Sequence, residues 1–365
     1  MREYSFMSEN SLFLVIIAGG SGTRFWPKST SKKPKQLLAF GRPVEGQASR
    51  TLIEQTLERF EGWVLPENRW ILTTETLKKE MDTLSLGAKV LAEPQGRNTA
   101  PCIYWAARKI AEINPRAVMM IMPSDHYIAN QEAFHFTLRA AEQRARAYDE
   151  LVTLGIKPTR PETGYGYLRT QETLSLSQSE AKVAKVEAFV EKPNVETACE
   201  FLRAGCYLWN GGMFLWRAEV ILDAFDQFMP EMKAAWDSAQ GNVHLAYPQM
   251  TATSIDFGIM EKAKNVMTYP LDCGWDDLGS WTSLETLAVQ LGAKVDGNTV
   301  TQGELVALDS LGNIIDVPGR LIATLGVNNL IVVEHGEVLL LADKSRAQDV
   351  RQIVESVKKI RPTLV

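Results

Sequence analysis

Residues 12–24 read LFLVIIAGGSGTR, an apolar run that ends in a glycine-rich loop. The run predicts a buried strand over Leu12–Ala18, and the glycines let backbone N–H groups approach an oxyanion. The loop lacks both the Gly-Lys-Ser/Thr ending of a Walker A motif and the last glycine of G-x-G-x-x-G. No acidic residue occurs between Glu9 and Glu45, where the basic residues are Arg24, Lys28, Lys32, Lys33, Lys35 and Arg42. We therefore predict a phosphate-binding loop, with a tight turn carrying exposed basic side chains as the alternative.

Length and composition indicate a globular protein of two domains. The 365 residues exceed the roughly 250–300 at which a single core stops growing. A net charge of -5 argues against nucleic acid or a membrane surface as partner. The first apolar run is shorter than the ~20 residues that cross a bilayer, so we expect no membrane association and a cytoplasmic location. Reduced core thiols are favoured over disulfides or zinc ligands for the four cysteines, Cys102, Cys199, Cys206 and Cys273.

Short apolar runs alternate with helical spacing through most of the chain, which predicts an α/β fold with a mostly parallel mixed sheet. Strands are predicted over Leu12–Ala18, Arg69–Thr74, Lys89–Ala92, Ala117–Met122, Lys182–Val190 and Tyr207–Trp216. Helices are predicted over Thr51–Phe60, Asn98–Asn114 and Ser280–Leu291. We place a flexible tail at 1–11 and the α/β domain at 12–291.

The character of the chain changes after Gly292. Short β-type runs punctuated by glycine predict a small β domain at 292–365, and a few coils of β-helix would fit it. These runs are Leu305–Leu308, Asn313–Asp316, Leu321–Leu325, Leu330–Val333 and Val338–Leu341. Residues Ala347–Lys359 have the spacing of a closing amphipathic helix.

Aspartates stand at two places suited to a metal. Asp125 follows a predicted buried strand, and Asp276-Asp277 lies in the segment CGWDDLGSW. The carboxyl ends of strands in such sheets form the ligand crevice, and Mg²⁺ prefers carboxylate oxygens shared with substrate phosphates. Asp125 as a helix cap and Asp276-Asp277 as a solvated turn are the alternatives.

Other segments combine small residues with charged or amide side chains, as expected where backbone passes close to a ligand. They are Glu93–Pro101, Thr163–Tyr167, Phe189–Pro193 and Trp209–Phe214. Lys192, between a strand and a proline, suits a phosphate, and Glu191 suits sugar hydroxyls. Taken singly, an exposed Glu-Lys pair, a helix cap at Asn98 or a hairpin at Gly211-Gly212 would explain them.

In this order the segments resemble the sugar-nucleotide pyrophosphorylases, most closely those that make GDP-mannose. The matching stretches are Ala18–Lys35, Glu93–Pro101, Pro123–His126, Thr163–Tyr167, Phe189–Pro193, Trp209–Phe214, Ser254–Lys262 and Gly274–Trp281. The resemblance implies a Rossmann-like nucleotidyltransferase domain of the GT-A type. It also implies that the chain transfers the guanylyl group of GTP to mannose 1-phosphate and releases pyrophosphate, by attack of a sugar-phosphate oxygen on the α-phosphorus.

The resemblance implies a role for each matching residue. The nucleotide would be bound by Gly19, Gly20, Gly22 and Thr23, with Glu93, Arg97 and Asn98 beside base and ribose. Arg24 would face the β- and γ-phosphates and Lys35 the α-phosphate. Asp125 and Asp277 would ligate Mg²⁺, since Asp277 and not Asp276 fits the family's Trp-x-Asp-x-Gly pattern. The sugar phosphate would be bound by Gly164, Glu191, Lys192 and Asn210.

Some features concern selectivity and assembly. Gly211 stands where the family usually has serine, which removes a hydroxyl near the expected sugar. The chain ends at Val365, before any cupin domain of the kind that many bacterial relatives carry, so we expect a single activity. The apolar runs after Asn298 suggest a homodimer. The alternatives are a pyrophosphorylase for another sugar 1-phosphate or nucleotide, and a non-catalytic regulatory subunit of the same fold.

Overall fold

The computed structural model describes residues 12–20, 22–40, 50–84, 86–171 and 181–365. The predicted flexible tail at 1–11 lies outside the described residues, as do Ser21 and Arg42. The chain forms two compact units, each made of separate segments. The first unit contains the chain up to Gly19, Phe60–Pro123 and Asn130–Trp275, and the second contains Gly20–Arg59, Ser124–Ala129 and Asp276–Val365. Where the domain boundaries lie stays a prediction.

The strands and helices follow the predicted alternation. The strands are β1 Leu12–Ile17, β2 Arg69–Thr74, β3 Lys89–Glu93, β4 Val118–Pro123, β5 Tyr127–Ile128, β6 Leu151–Ile156, β7 Tyr167–Thr170, β8 Ala184–Val190, β9 Tyr207–Arg217, β10 Val266–Leu271, β11 Trp275–Asp276, β12 Lys294–Val295, β13 Asn298–Leu308, β14 Ile314–Leu325, β15 Leu330–His335 and β16 Val338–Asp343. The α-helices are α1 Leu52–Glu58, α2 Glu75–Thr83, α3 Thr99–Ile113, α4 Gln131–Ala147, α5 Val195–Ala204, α6 Ala218–Phe228, α7 Pro230–Ser238, α8 Val243–Ala246, α9 Ser283–Thr286 and α10 Val350–Ile360. No helix among the described residues is both long and apolar enough to span a membrane.

The first unit is built on a nine-stranded mixed sheet in the order β3-β2-β1-β4-β9-β6-β10-β8-β7. β1 pairs in parallel with β2 and β4, so the predicted parallel arrangement is confirmed there. The long strand β9 runs antiparallel to both β4 and β6 and makes the sheet mixed. On α3 the predicted apolar face, Ile103, Ala106, Ala107 and Ile110, is fully buried in the core of this unit.

The second unit contains a five-stranded sheet in the order β12-β13-β14-β15-β16. β13, β14 and β15 pair in parallel without a helix between them, as in a β-helix. Its core joins side chains from the glycine-loop segment (Phe25, Trp26), from α10 (Val350, Val354) and from the sheet. The predicted β domain with a closing helix is confirmed.

Three details differ from the sequence expectations. The helix predicted at Ser280–Leu291 is helical only in α9, because the backbone hydrogen bonds after Thr286 change between three-, four- and five-residue spacing and form turns. The runs expected on either side of Gly319 form one strand, β14, because β13 shifts register opposite it and keeps the pairing. The cysteines are all free thiols, but only Cys102 and Cys273 are fully buried.

Candidate functional site

In the second unit the glycine loop packs closely against Lys35. Gly22 has φ +58°, and a Cβ placed on it would lie 2.5 Å from Lys35 Cβ and 2.7 Å from the Lys35 backbone nitrogen. Only glycine fits such a contact without displacing the neighbouring segment. The Gly20 carbonyl accepts a hydrogen bond from Gln36 Nε2 at 3.3 Å, and Thr23 begins a short 3₁₀ turn. The close packing of the glycine loop against Lys35 explains why the loop and this lysine occur at a short, defined spacing in the sequence.

Lys35 joins the two predicted metal ligands. Its Nζ lies 2.9 Å from Asp125 Oδ2 and donates to the backbone carbonyl of Asp277. Burial alone would raise the pKa of Asp125, but the Lys35 ammonium holds it below its ordinary value. Burial lowers the pKa of the neighbouring His126 to about 4, so this imidazole is neutral at physiological pH. Asp125 is therefore an ionised acceptor beside a cation.

The two neighbouring aspartates have different surroundings. Asp276 is 2% exposed and its Oδ1 accepts a hydrogen bond from the backbone N–H of Leu278 at 2.7 Å, which supports the turn. Asp277 instead lines a cavity of about 290 Å³. A Cβ on Gly279 would lie 3.0 Å from both Asp277 carboxylate oxygens, which explains the glycine in Trp-x-Asp-x-Gly.

The cavity gathers every charged residue that the sequence analysis assigned to the nucleotide phosphates and the metal. Its lining is Gly22, Thr23, Arg24, Phe25, Lys35, Asp125, His126, Asp277, Leu278, Gly279 and Arg351. Arg24 Nη1 donates to the Gly279 carbonyl at 3.5 Å, whereas its buried Nε has no hydrogen-bond partner among the described residues. A half-buried guanidinium whose buried Nε has no hydrogen-bond partner in the described part of the chain is suited to an anion.

A second group lies in the first unit around Glu93. Its carboxylate is 4% exposed, accepts a hydrogen bond from the Tyr247 hydroxyl, and would lie 3.1 Å from a Cβ on Gly19. Burial raises the pKa of Glu93 to about 7. Arg97 donates to the Met250 carbonyl at 2.6 Å. Asn98 caps α3 by accepting from the Thr99 N–H, so the helix-cap alternative is confirmed for its side chain.

A third group, also in the first unit, surrounds Asn210. Its Nδ2 donates to Asp256 Oδ1 at 2.7 Å, and its Oδ1 accepts from the Gly212 N–H at 3.1 Å. Its backbone N–H donates to the Gly166 carbonyl at 2.8 Å. With both ends of the amide held, Asn210 has a fixed orientation. Asp256 begins a π-helical turn, Asp256–Met260, a geometry common at functional sites.

Glu191 and Lys192 follow β8 and form an ion pair of 2.7 Å. Lys192 has φ +43° and an exposed side chain, so the alternative of an exposed Glu-Lys pair describes its present contacts. Glu191 Oε2 lies close over Gly166, where a Cβ would be only 2.7 Å away. Gly164 is exposed, and its N–H donates to Glu162 at 3.0 Å.

Gly211 and Gly212 lie within β9, so the hairpin alternative is wrong. A Cβ on Gly211 would meet Met213 Cε at 2.9 Å and Ile156 Cγ1 at 3.2 Å. A side chain at position 211 would therefore have its Cβ in contact with the packed side chains of Met213 and Ile156.

Three residues of these groups were missed by the sequence reasoning. Arg351 lies on α10, far along the chain from the loop whose cavity it lines. Tyr247 and Asp256 act as partners of predicted residues and belong to no phosphate motif. For Asp256 the segment Ser254–Lys262 was a usable signal, since it was among the matching stretches.

A glycine-rich loop, a basic cavity and two aspartates in its lining, in a chain of the α/β class, are features of a nucleotidyltransferase. A sequence model of the nucleotidyl transferase family matches residues 14–294, and the chain belongs to this family. Residues 303–357 match the MannoseP isomerase/GMP-like β-helix domain, in agreement with the parallel pairing of β13 to β15. The predicted fold and enzyme class are confirmed.

Individual relatives are more specific than the family model. The mannose-1-phosphate guanylyltransferase of Escherichia coli (strain K12) is 33% identical over 96% of this chain and 74% of that protein. The alginate biosynthesis protein AlgA of Pseudomonas putida is 35% identical over 94% of this chain and 71% of that protein. A crystal structure from Thermus thermophilus, described as a mannose-1-phosphate geranyltransferase, superposes with a TM-score of 0.84 at 32% identity and covers 95% of this chain and 99% of that chain. The resemblance stated from the sequence is confirmed.

Proposed function

We propose that this chain transfers the guanylyl group of GTP to mannose 1-phosphate, with release of pyrophosphate and formation of GDP-mannose. The observation that carries the proposal is the cavity of the second unit, where Arg24, Lys35 and two aspartates meet. Relatives named mannose-1-phosphate guanylyltransferase, which match nearly the whole chain, support the choice of substrates.

In this proposal the second unit binds the triphosphate. Gly20, Gly22 and Thr23 offer backbone N–H groups to the phosphates, and Arg24 directs its unpartnered Nε toward the β- and γ-phosphoryl groups. Lys35, held between Asp125 and the Asp277 carbonyl, neutralises charge at the α-phosphoryl group.

The reaction needs positioning more than a general base. An oxygen of mannose 1-phosphate, already an anion, forms a bond to the α-phosphorus while the bond from this phosphorus to the oxygen bridging to the β-phosphorus breaks. The electron pair of the broken bond leaves with pyrophosphate, and no proton transfer is required at the nucleophile. The protein must therefore bring two anions together and stabilise the charge that develops on the leaving group.

Asp125 and Asp277 are the residues we propose as ligands of Mg²⁺. Nucleotidyltransferases generally use a divalent metal, and two carboxylates lining one cavity are a hard oxygen donor set that suits it. The described residues hold no group of three or more His, Cys, Asp or Glu able to bind a metal alone, so phosphate oxygens would share in the coordination. When bound, the ion supplies Lewis-acid neutralisation of phosphate charge.

The first unit supplies the recognition residues in this proposal. Gly19, Glu93, Arg97 and Asn98 are assigned to the base and ribose, and Gly164, Glu191, Lys192 and Asn210 to the sugar phosphate. The Lys192 ammonium is exposed, and its ion pair with Glu191 is in contact with solvent and therefore weak, so a phosphate can compete for it. The fixed Asn210 amide is preorganised for a sugar hydroxyl.

A pyrophosphorylase for another sugar or base is the second candidate, because phosphate and metal contacts carry no sugar identity. Purified protein should be given each of GTP, ATP, UTP and dTTP with mannose, glucose and galactose 1-phosphates, and pyrophosphate release measured with and without Mg²⁺. The proposal predicts the highest kcat/KM for GTP with mannose 1-phosphate and loss of activity on chelation. Preference for UTP or for glucose 1-phosphate would contradict it.

The metal assignment has its own test. Asp125→Asn and Asp277→Asn should each lower kcat by at least about 100-fold while the protein stays folded, because both residues line the cavity. Asp125→Asn also loses the ion pair with Lys35 and should therefore melt at a lower temperature than Asp277→Asn. Asp272→Asn, which removes an exposed carboxylate nearby in sequence, is the matched control and should retain activity. Near wild-type rates in either cavity variant would remove that residue from the metal site.

We also propose a homodimer through the β domain. Val306, Leu308, Leu321 and Leu325 alternate along β13 and β14 with more than half of each side chain exposed, and Leu308 pairs with Leu325. Such a contiguous apolar surface is unusual on a monomer. Sedimentation equilibrium should give twice the 40.7 kDa of the chain, and Leu308→Lys should shift the mass to that of a monomer. The cytoplasmic location stays a prediction.

A further inference from the structure

The closing helix is built onto the glycine-loop segment of the second unit. Val350 and Val354 of α10 are buried in one core with Phe25 and Trp26, which directly follow Arg24. Two hydrogen bonds add to this attachment: the Trp26 indole N–H donates to the Leu364 carbonyl at 2.9 Å, and the Ser31 hydroxyl donates to the Val365 carbonyl at 2.9 Å. The position of α10 relative to the loop is therefore fixed by packing and by hydrogen bonds.

This attachment brings a second guanidinium into the cavity. Arg351, next to the buried Val350, lines the cavity together with Arg24. Among the residues that the structure describes, none forms an ion pair with Arg351. Burial lowers the pKa of Arg24, and the positive charge of Arg351 lowers it further, while Asp277 opposes the shift. Two arginines whose positive charges repel each other therefore line the same cavity, Arg24 half-buried and Arg351 exposed.

We propose that Arg351 is a phosphate-binding residue that, with Arg24, holds the β- and γ-phosphoryl groups and then the leaving pyrophosphate. This inference rests on the proposed function, since it names the ligand of the same cavity. A bound polyanion removes the repulsion between the two cations, and the planar guanidinium fork can bond two oxygens at once. The β-helix domain thereby takes part in substrate binding through its last helix.

The sharpest comparison is between ligands that have and lack the outer phosphates. GTP and inorganic pyrophosphate carry the groups that Arg351 would contact, whereas GMP does not. Loss of a charge-assisted contact should weaken binding of GTP and of pyrophosphate by about 10- to 100-fold and leave GMP binding unchanged. A residue that only stabilised α10 would change the affinity for all three ligands together.

The experiment is calorimetric titration of wild type, Arg351→Gln, Arg351→Lys and Lys358→Gln with MgGTP, Mg-pyrophosphate and GMP. Lys358 lies exposed on the same helix, so its glutamine variant removes an equal charge away from the cavity. We expect selective weakening of GTP and pyrophosphate in Arg351→Gln, partial recovery in Arg351→Lys, and no change in Lys358→Gln.

Three results would overturn the inference: unchanged pyrophosphate affinity in Arg351→Gln, equal weakening of GMP, or an equal effect of Lys358→Gln. Melting temperatures of all four proteins check that α10 stays folded, and Arg351→Lys keeps the charge if the glutamine variant is unstable. The failure of the proposed function looks different, because wild-type protein would then fail to bind GTP, whether or not it binds pyrophosphate.

Discussion

Replacing Asp316 by alanine should destabilise the second unit strongly, because the substitution leaves a buried lysine without its carboxylate partner. Lys28 Nζ lies 2.6 Å from Asp316 Oδ1 and donates to Oδ2 at 2.6 Å. The lysine side chain is 10% exposed and that of the aspartate 1%. Thr301 also donates to Oδ2 at 2.7 Å, so Oδ2 is bonded by both the loop segment and β13, whereas the contact of Oδ1 is the lysine ammonium.

The expected magnitude follows from what each substitution leaves behind. Asp316→Ala leaves an unpaired ammonium in a site that is nine-tenths buried, which costs about 3–5 kcal/mol of unfolding free energy. Lys28→Met with Asp316→Leu removes both charges, and burying apolar groups of similar size in their place should be nearly neutral. The coupling between the two positions is therefore expected to be large, because the double variant is more stable than the Asp316→Ala single variant.

Urea unfolding of wild type, Lys28→Met, Asp316→Leu and the variant carrying both changes measures this coupling as a double-mutant cycle, and Asp316→Ala is measured beside them. Hydrogen exchange of peptides from β13 and β14 shows whether the loss lies in the second unit. A loss below about 1 kcal/mol in Asp316→Ala would refute the reasoning, since the pair would then be behaving like a solvated surface pair.

Further predictions concern Glu93 and two glycines. The pKa of folded Glu93, raised to about 7 by burial, exceeds the ordinary 4.5, so folded protein holds a proton that unfolded protein loses and stability falls as pH rises between these values. Glu93→Gln should remove this slope, worth about 3 kcal/mol, in melting curves recorded across that range. Gly22→Ala should abolish turnover by pushing Lys35 away, as kcat would show, and a rate within twofold of wild type would contradict this. Gly166→Ala should displace Glu191 and raise KM for the sugar phosphate at least about fivefold with KM for GTP unchanged.

Much of the fold was predictable because its strands are short, apolar and bounded by polar turns. β1 illustrates this: its run of buried side chains marks a central strand of a parallel sheet, and the structure places it between β2 and β4. The order of the later strands was not predictable. β9 pairs with β4, β6 and β7, which lie at different distances from it along the chain. Such pairings depend on tertiary contacts that no local sequence pattern contains.

The candidate site likewise has a part that local sequence motifs indicate and a part that only the tertiary structure brings together. The glycine loop, Lys35 and Asp277 belong to continuous motifs, so the sequence could nominate them as candidates, and the structure places Asp277 in the cavity lining and Asp276 in the interior. Arg351 lies in an ordinary amphipathic helix, and only the packing of α10 on the loop segment brings it to the cavity. Tyr247 and Asp256, the partners of Glu93 and Asn210, could not be predicted for the same reason, because only the tertiary fold brings them into contact.

The central claim is that the guanylyl group moves as a unit from GTP to the sugar phosphate. It is tested most directly by incubating the protein and Mg²⁺ with mannose 1-phosphate and GTP carrying ³²P at either the α or the γ position, and separating the products. We expect the α-label in GDP-mannose and the γ-label in pyrophosphate, in equal amounts. Release of γ-label as inorganic phosphate, or absence of α-label from the sugar nucleotide, would contradict it.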